Sequence, residues 1–357
     1  MKKLINNAED VTIEQLQGVQ AAHGDTMEVH FDPNFVKRTA APNDNKVSII
    51  SGGGSGHEPL HVGFVGKGML DAACPGQVFT SPTPDQMFEA GKAVASKKGV
   101  LNIVKNYTGD VLNFQMAADM LREEGIEVRN VLVDDDVAVK DSSFTAGRRG
   151  VGTTVIMEKI VGAAADQGYD LDALVKLAKQ INVNGKSMGL ALTSCITPGS
   201  GKPTFDLGED EMEIGIGIHG EPGRERTKLK SADEIAEILT TQVLEDEAYT
   251  RTIQEFDPAK GEWVDVEVTD STFSSGDKAI ALINSMGGTP LSELYTVYKK
   301  AEEVAKKKGV TIVRKLIGPY ITSLEMQGVS VTLVKATDEM LKLWDAPVNT
   351  PGLRWGE

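Results

Sequence analysis

Two histidines in this chain end strand-like runs inside glycine-rich turns, and a third polar loop accompanies them. Ser51-Gly-Gly-Gly-Ser-Gly-His57-Glu-Pro59 follows the apolar, β-branched run Lys46-Val-Ser-Ile-Ile50. Glycines cost folding entropy, so a row of them belongs where the backbone turns sharply or meets something closely. Gly215-Ile-Gly-Ile-His219-Gly-Glu-Pro-Gly223 repeats the arrangement after the strand-like Glu213–Ile218. Lys105-Asn-Tyr-Thr-Gly-Asp110 follows Val100–Val104 and brings a cation, an amide, two hydroxyls and a carboxylate. Taken singly, each has a plainer role: a structural histidine, a solvated lysine, an aspartate capping a helix. Together they point to a shared cleft at strand ends, where open α/β sheets bind small molecules. Neutral imidazole is both base and nucleophile near neutral pH, so the chemistry expected is acid–base or covalent.

Two short motifs mislead. The first loop lacks the Gly-Lys-Ser/Thr ending of a nucleotide P-loop, so it offers no lysine for phosphates and no hydroxyl for magnesium. His57-Glu-Pro-Leu-His61 spells the His-Glu-x-x-His zinc signature, which requires both imidazoles on one continuous helix. Pro59 breaks that helix, so no zinc site is expected there. Asp134-Asp-Asp136 reads as a solvated acidic turn, with a divalent metal as the weaker alternative. No metal ligand is expected in this chain.

At 357 residues the chain is long enough for two cores, and 40% hydrophobic with 25% charged residues is a globular composition. A net charge of −15 argues against nucleic acid and anionic membranes as partners. No apolar run is long enough to span a bilayer, and Met1–Asp10 lacks the apolar core of a signal peptide. Cys74 and Cys195 are too few for a disulfide framework, so the expected location is cytoplasmic. The sequon Asn106-Tyr-Thr108 carries no consequence there.

These loops must be held by an alternation of strands and helices. Strands are expected at Lys46–Ile50, Val100–Lys105, Val128–Val133, Met188–Leu192, Glu213–Ile218, Lys278–Ile283, Val310–Arg314 and Val329–Val334. Helices are expected at Pro84–Lys98, Leu112–Glu124, Thr154–Gln167, Leu171–Gln180, Ser231–Leu244 and Ser292–Lys308. The fold class is α/β: two α/β domains, each on a largely parallel or mixed sheet flanked by helices. The polar break Asn182-Val-Asn-Gly-Lys186 sets the expected boundary, giving domains 1–184 and 185–357. Glu255–Ser275, rich in charge, is expected to form a surface excursion on the second domain.

The combined motifs identify a resemblance. Ser51–Pro59, Pro75-Gly-Gln-Val-Phe-Thr-Ser-Pro-Thr-Pro84, Lys105–Asp110, Asp134-Asp-Asp-Val-Ala-Val139, Gly147-Arg-Arg-Gly-Val151 and Gly217-Ile-His-Gly-Glu-Pro222 resemble the K subunit of bacterial dihydroxyacetone kinase. The resemblance runs from Met1 to Trp355. It implies that His219 binds the ketone of dihydroxyacetone covalently as a hemiaminal. It implies that His57 and Asp110 bind and activate the hydroxyl that receives phosphate. Gly54, Ser55, Gly56 and Lys105 would line the same substrate pocket. It further implies a homodimer that binds no cofactor itself, with ADP or ATP and magnesium on a partner L subunit. Nothing in this chain resembles that helical subunit, and with the chain ending at Glu357 the phosphoryl donor is expected on the partner. A phosphocarrier M subunit would recharge it from phosphoenolpyruvate, ATP being the less expected donor. The alternative within the family is a dihydroxyacetone-sensing co-activator of transcription without kinase activity.

Overall fold

The computed structural model describes residues 2–140 and 146–356; Met1, 141–145 and Glu357 lie outside the described residues. The first half runs α1 (Val11–His23), β1 (Met27–Phe31), β2 (Asn34–Arg38), β3 (Ser48–Ser55), β4 (Ala72–Val78), α2 (Pro84–Val94), β5 (Val100–Lys105), α3 (Thr108–Glu123), β6 (Val128–Val133), α4 (Thr153–Asp166) and α5 (Leu171–Asn184). The second runs β7 (Gly185–Ala191), β8 (Glu211–Ile214), β9 (Glu225–Lys228), α6 (Ala232–Leu244), β10 (Thr250–Asp257), β11 (Glu262–Thr269), β12 (Lys278–Ser285), α7 (Leu291–Lys307), β13 (Thr311–Gly318), β14 (Gly328–Lys335), α8 (Asp338–Asp345), β15 (Val348–Asn349) and β16 (Arg354–Trp355).

Two six-stranded mixed sheets result. The first has the order β1-β2-β4-β3-β5-β6, the second β13-β12-β14-β7-β8-β9. In the first, β4, β3, β5 and β6 are mutually parallel, while β1 and β2 form an antiparallel edge. Parallel strands covered on both faces should be largely apolar, and every residue of β5 is buried, Asn102 and Lys105 included. In the second sheet only β12 and β13 are parallel.

The sheets share a core. Helix α4 is buried along almost its whole length and touches β3 and β5 of the first sheet and β7 and β14 of the second. Ile49, Ile103 and Val131 therefore join Ile280, Leu282 and Val334 in one apolar cluster around Ile156 and Ile160. A helix apolar on nearly all sides belongs inside a protein, and α4 comes close, with Glu158 and Lys159 buried among its apolar residues.

Several elements differ from the expectations. The three glycines Gly52–Gly54 lie within β3, not in a loop. The segment expected as a surface excursion is a two-stranded ribbon, β10 with β11, that reaches back over the first sheet's elements. There Arg122 of α3 stacks on Phe256, Trp263 donates to Asp119, and Lys179 of α5 pairs with Glu255. The acidic triplet is not solvated. Asp134 binds Arg251 and Asn182, and Asp136 binds Arg149. Asp135 accepts from the amides of Val151 and Thr153 at 2.7 and 2.8 Å and from the Ser187 hydroxyl. These buried carboxylates tie the end of β6 to the start of α4 and to β7.

Candidate active site

Because β3, β4 and β5 are parallel, their carboxyl ends share one edge. Ser55–His57 leave β3 there, Phe79–Ser81 leave β4, and Asn106 and Tyr107 lead from β5 into α3. Asp110 sits in the first turn of α3, where unpaired amides favour a negative charge. The second sheet contributes from the opposite side. Its strand β8 stops at Ile214, not Ile218, because Gly215 adopts φ +81 and turns the chain into the loop that carries His219. A cavity of about 300 Å³ lies between, lined by Gly54, Phe79, Ser81, Tyr107, Asp110 and His219 among others.

The glycines of β3 are explained by what presses on them. A Cβ on Gly54 would stand 2.6 Å from the Thr80 amide nitrogen and 2.9 Å from Phe79 backbone atoms. One on Gly53 would lie 2.2 Å from Lys105 Nζ. Ser55 is buried with its hydroxyl donated to the Gly76 carbonyl, and Gly56, at φ +103, donates its amide to the Glu58 carboxylate.

The two histidines meet edge to face. Their ring centroids are 4.8 Å apart at 75°, and Phe79 stacks on His57 at 5.1 Å. His57 is fully buried, and its Nδ1–H donates to the Thr322 carbonyl at 2.7 Å, which leaves the lone pair on Nε2. That nitrogen has no protein partner. Burial, with the nearby His219 ring and Lys105, holds His57 well below the usual histidine range, so it is neutral. His219 is oriented by Glu221. The Glu221 carboxylate accepts from His219 Nδ1–H and from the His219 amide, both at 2.8 Å, leaving the lone pair on Nε2. Burial alone would raise the Glu221 carboxyl. The His219 ring and Arg149 outweigh it and hold the group at about 2.

Lys105 and Asp110 are buried beside them. Lys105 Nζ lies 2.9 Å from His61 Nε2, 3.4 Å from the Gly52 carbonyl and 3.8 Å from Asp110 Oδ2. Burial raises the Asp110 carboxyl, and Lys105 and the Ser81 hydroxyl oppose that rise. Asp110 Oδ1 has no partner, nor has the Tyr107 hydroxyl, which burial and Glu221 keep protonated. Two unspent buried polar atoms, on Asp110 and Tyr107, thus belong to residues lining the cavity, and a third, on His57, lies on the ring packed against His219. Buried polar groups normally find a partner, so such a cluster marks a place for a polar ligand.

Of the seven residues singled out from the sequence, Gly54, Asp110 and His219 line the cavity; His57 packs against His219 and Lys105 lies beside Asp110, while Ser55 and Gly56 join Gly54 to His57 along the chain. Sequence reasoning missed Glu221, Tyr107, Phe79, Ser81 and Arg149 as individuals, although each lies within a quoted motif. Glu221 was the most legible, two residues after His219. Residues 58–61 form a turn, not a helix, so His57 and His61 lack the shared helical face that zinc would need. Among the described residues, no set of three or more His, Cys, Asp or Glu is grouped to hold a metal ion.

Comparison with known proteins adds to this geometry. The sequence profile of the Dak1 domain matches residues 17–352. The chain is 51% identical over 357 residues to the dihydroxyacetone-binding subunit DhaK of the PEP-dependent dihydroxyacetone kinase of Escherichia coli (strain K12), covering 100% of both. It is 42% identical to the corresponding subunit of the PTS-dependent kinase of Lactococcus lactis, covering 99% of both. Among solved structures it resembles the dihydroxyacetone kinase operon co-activator DhaQ (TM-score 0.82, 32% identity, 95% of this chain and 96% of that one). It also resembles the dihydroxyacetone kinase of C. freundii (TM-score 0.81, 29% identity, 99% of this chain and 60% of that one).

Proposed function

The chain belongs to the Dak1 family, and from that membership we propose that it is the dihydroxyacetone-binding subunit of a dihydroxyacetone kinase, acting as a phosphotransferase with a partner subunit. The observation that carries the reading is the pair His57 and His219. Two differently oriented imidazoles meet at the site, His219 lining the cavity and His57 packed against it, each held by its own acceptor.

A three-carbon ketone makes few contacts, so non-covalent binding alone gives limited affinity. His219 Nε2 adds to the carbonyl carbon, forming an N–C bond while the π pair moves to oxygen. The oxygen takes up a proton and becomes a hydroxyl. Positive charge developing on the ring is set against the Glu221 carboxylate, and loss of the Nδ1 proton leaves a neutral hemiaminal. Glycerol, lacking a carbonyl, cannot form this bond, so the selectivity comes from reaction and not from fit. With C2 fixed, a terminal hydroxyl is held by His57 and Asp110, and His57 Nε2 has the lone pair to receive its proton. Gly54, Ser55 and Gly56 shape the wall, and Lys105 braces Asp110.

The donor would be ATP with magnesium held on an L-type partner, either bound as ATP or regenerated there from ADP. It would give up its γ-phosphoryl group, leaving ADP, when docked. Lys105, the lysine at the site, is committed to His61 and Asp110, which favours a donor held elsewhere. The relatives named PEP-dependent and PTS-dependent support phosphoenolpyruvate as the ultimate source, which a phosphocarrier M subunit would relay. A homodimer in the cytoplasm completes the reading; among the described residues no helix is long and apolar enough to cross a membrane. The co-activator reading is less favoured, since identity to the kinase subunit of E. coli is 51% against 32% to DhaQ.

The test is twofold. A crystal soaked with dihydroxyacetone should show density continuous from His219 Nε2, lost in His219→Ala and kept in His57→Ala. Purified protein should yield dihydroxyacetone phosphate only after an L-type subunit is added. Product before that addition would refute the partner requirement, and none after it would favour the co-activator.

A further inference from the structure

Behind the cavity Lys105 is joined to two buried ionisable groups, His61 and Glu158, that the reaction above does not use. Lys105 donates an N–H to His61 Nε2 at 2.9 Å, and His61 Nδ1–H donates to Glu158 Oε1 at 2.6 Å. All three side chains are essentially inaccessible. Glu158 projects from α4, the helix shared by both sheets, and its second oxygen has no partner. A carboxylate costs several kcal/mol to bury, and an apolar residue would serve packing at least as well.

We propose that His61 and Glu158 are positioning residues for phosphoryl transfer: the carboxylate, acting through the imidazole, keeps the Lys105 ammonium charged and turned towards Asp110. The direction of every hydrogen bond fits. Burial, aided by Lys105 and His57, keeps His61 neutral, so it accepts from Lys105 on one nitrogen and donates to Glu158 from the other. Burial lowers the Lys105 ammonium, and the two anions facing it, Asp110 from α3 and Glu158 from α4, resist that loss. The remaining groups around it are the Gly52 carbonyl of β3 and the rings of His57 and His61. Glu158 itself faces His61, Lys105 and Ser51, and burial pushes it up to about 8. The anion is therefore present above about pH 8, the side on which the Lys105 ammonium loses its proton.

The effect on turnover rests on the kinase reading; the effect on Lys105 does not. Glu158→Gln and His61→Gln are made in the full chain, with folding checked by near-ultraviolet circular dichroism and by adduct formation on His219. The Lys105 titration is followed by side-chain NMR, and steady-state kinetics with an L-type partner are run against pH. Both variants should lower the Lys105 midpoint. They should cut kcat by about 10–100-fold, as removal of an orienting partner does, with KM within a few-fold, and move the alkaline limb of activity to lower pH. An unchanged Lys105 midpoint in both variants would overturn the proposal. If wild type gives no turnover with the partner, the kinase reading fails, and the Lys105 titration still decides the relay.

Discussion

His57 and His219 reach one another from different sheets, one leaving β3 and the other the loop after β8, and their rings meet edge to face at 4.8 Å. Two imidazolium ions at that distance would repel, so at most one carries charge. The arrangement makes His57 neutral and dependent on its neighbour. Burial is the larger cause, and the His219 ring adds to it.

The expected result is that His57 titrates well below pH 6.5, and that His219→Gln raises its midpoint. NMR of the ring Cε1–H follows both. The sign for stability is fixed. Below pH 6.5 the unfolded chain binds a proton that folded His57 refuses, so stability falls as pH drops, by up to about 1.4 kcal/mol per pH unit. His57→Asn should lose that share of the slope. A wild-type midpoint at or above 6.5 would be incompatible with this site.

Glu221 should matter more than its distance from the substrate suggests. It fixes both the tautomer and the amide of His219. Glu221→Gln keeps the shape but removes the charge that balances the developing imidazolium. Orienting carboxylates of this kind are worth between about 10- and 10⁴-fold in rate. The adduct should form that much more slowly by stopped-flow, while His57→Ala changes its rate far less. Equal slowing in both variants would assign Glu221 to packing alone.

What could be read in the sequence was what local pattern determines. Val100–Lys105 and Val128–Val133 match β5 and β6 because central parallel strands are rich in Val, Ile and Leu, even with Asn102 or Arg129 among them. By contrast β4 contains Pro75 and Gly76, and the β10–β11 ribbon is charged and half-exposed, so neither carries a strand's usual signature. The site loops were legible since histidine, glycine and acid stand close together in the chain. The glycine row was misplaced because Gly53 answers to Lys105 and Gly54 to Phe79 and Thr80, contacts a single sequence does not display. Asp134–Asp136 read as solvated for the same reason: Arg251 and Ser187 lie far along the chain. Glu158 was hidden inside an apolar helix.

Those acids should prove structural. Asp136→Asn strands Arg149, which is fully buried and also donates to the Gly215 carbonyl before the His219 loop. Breaking one side of a buried pair costs about 3–5 kcal/mol. The exposed pair Lys97–Asp44, with side chains 83% and 56% accessible, should cost under about 1 kcal/mol when broken. Urea unfolding compares the two directly. Similar losses would mean that the Asp136–Arg149 pair is not holding the lobes together. Weakened ketone binding in Asp136→Asn would follow from a loosened His219 loop.

Adjacent glycines of β3 should fail in different ways. Alanine at Gly53 places its Cβ against Lys105 Nζ, the free end of a flexible side chain, and 3.3 Å from His61 Nε2. The lysine can give way, so the protein should fold, but the ammonium leaves its place beside Asp110. Misplacing a reacting group by about 1 Å costs on the order of 10²-fold in rate, so kcat should fall by that much with little change in unfolding midpoint. Alanine at Gly54 meets backbone of Phe79 and Thr80, which cannot rotate aside. Overpacking of this kind costs about 1–3 kcal/mol, and the cavity wall moves with it. Gly54→Ala should therefore lose stability and ketone binding together. Thermal unfolding and calorimetric binding of dihydroxyacetone separate the two variants. If Gly53→Ala kept wild-type turnover, Lys105 would have no place in the reaction, and the row behind it no purpose there.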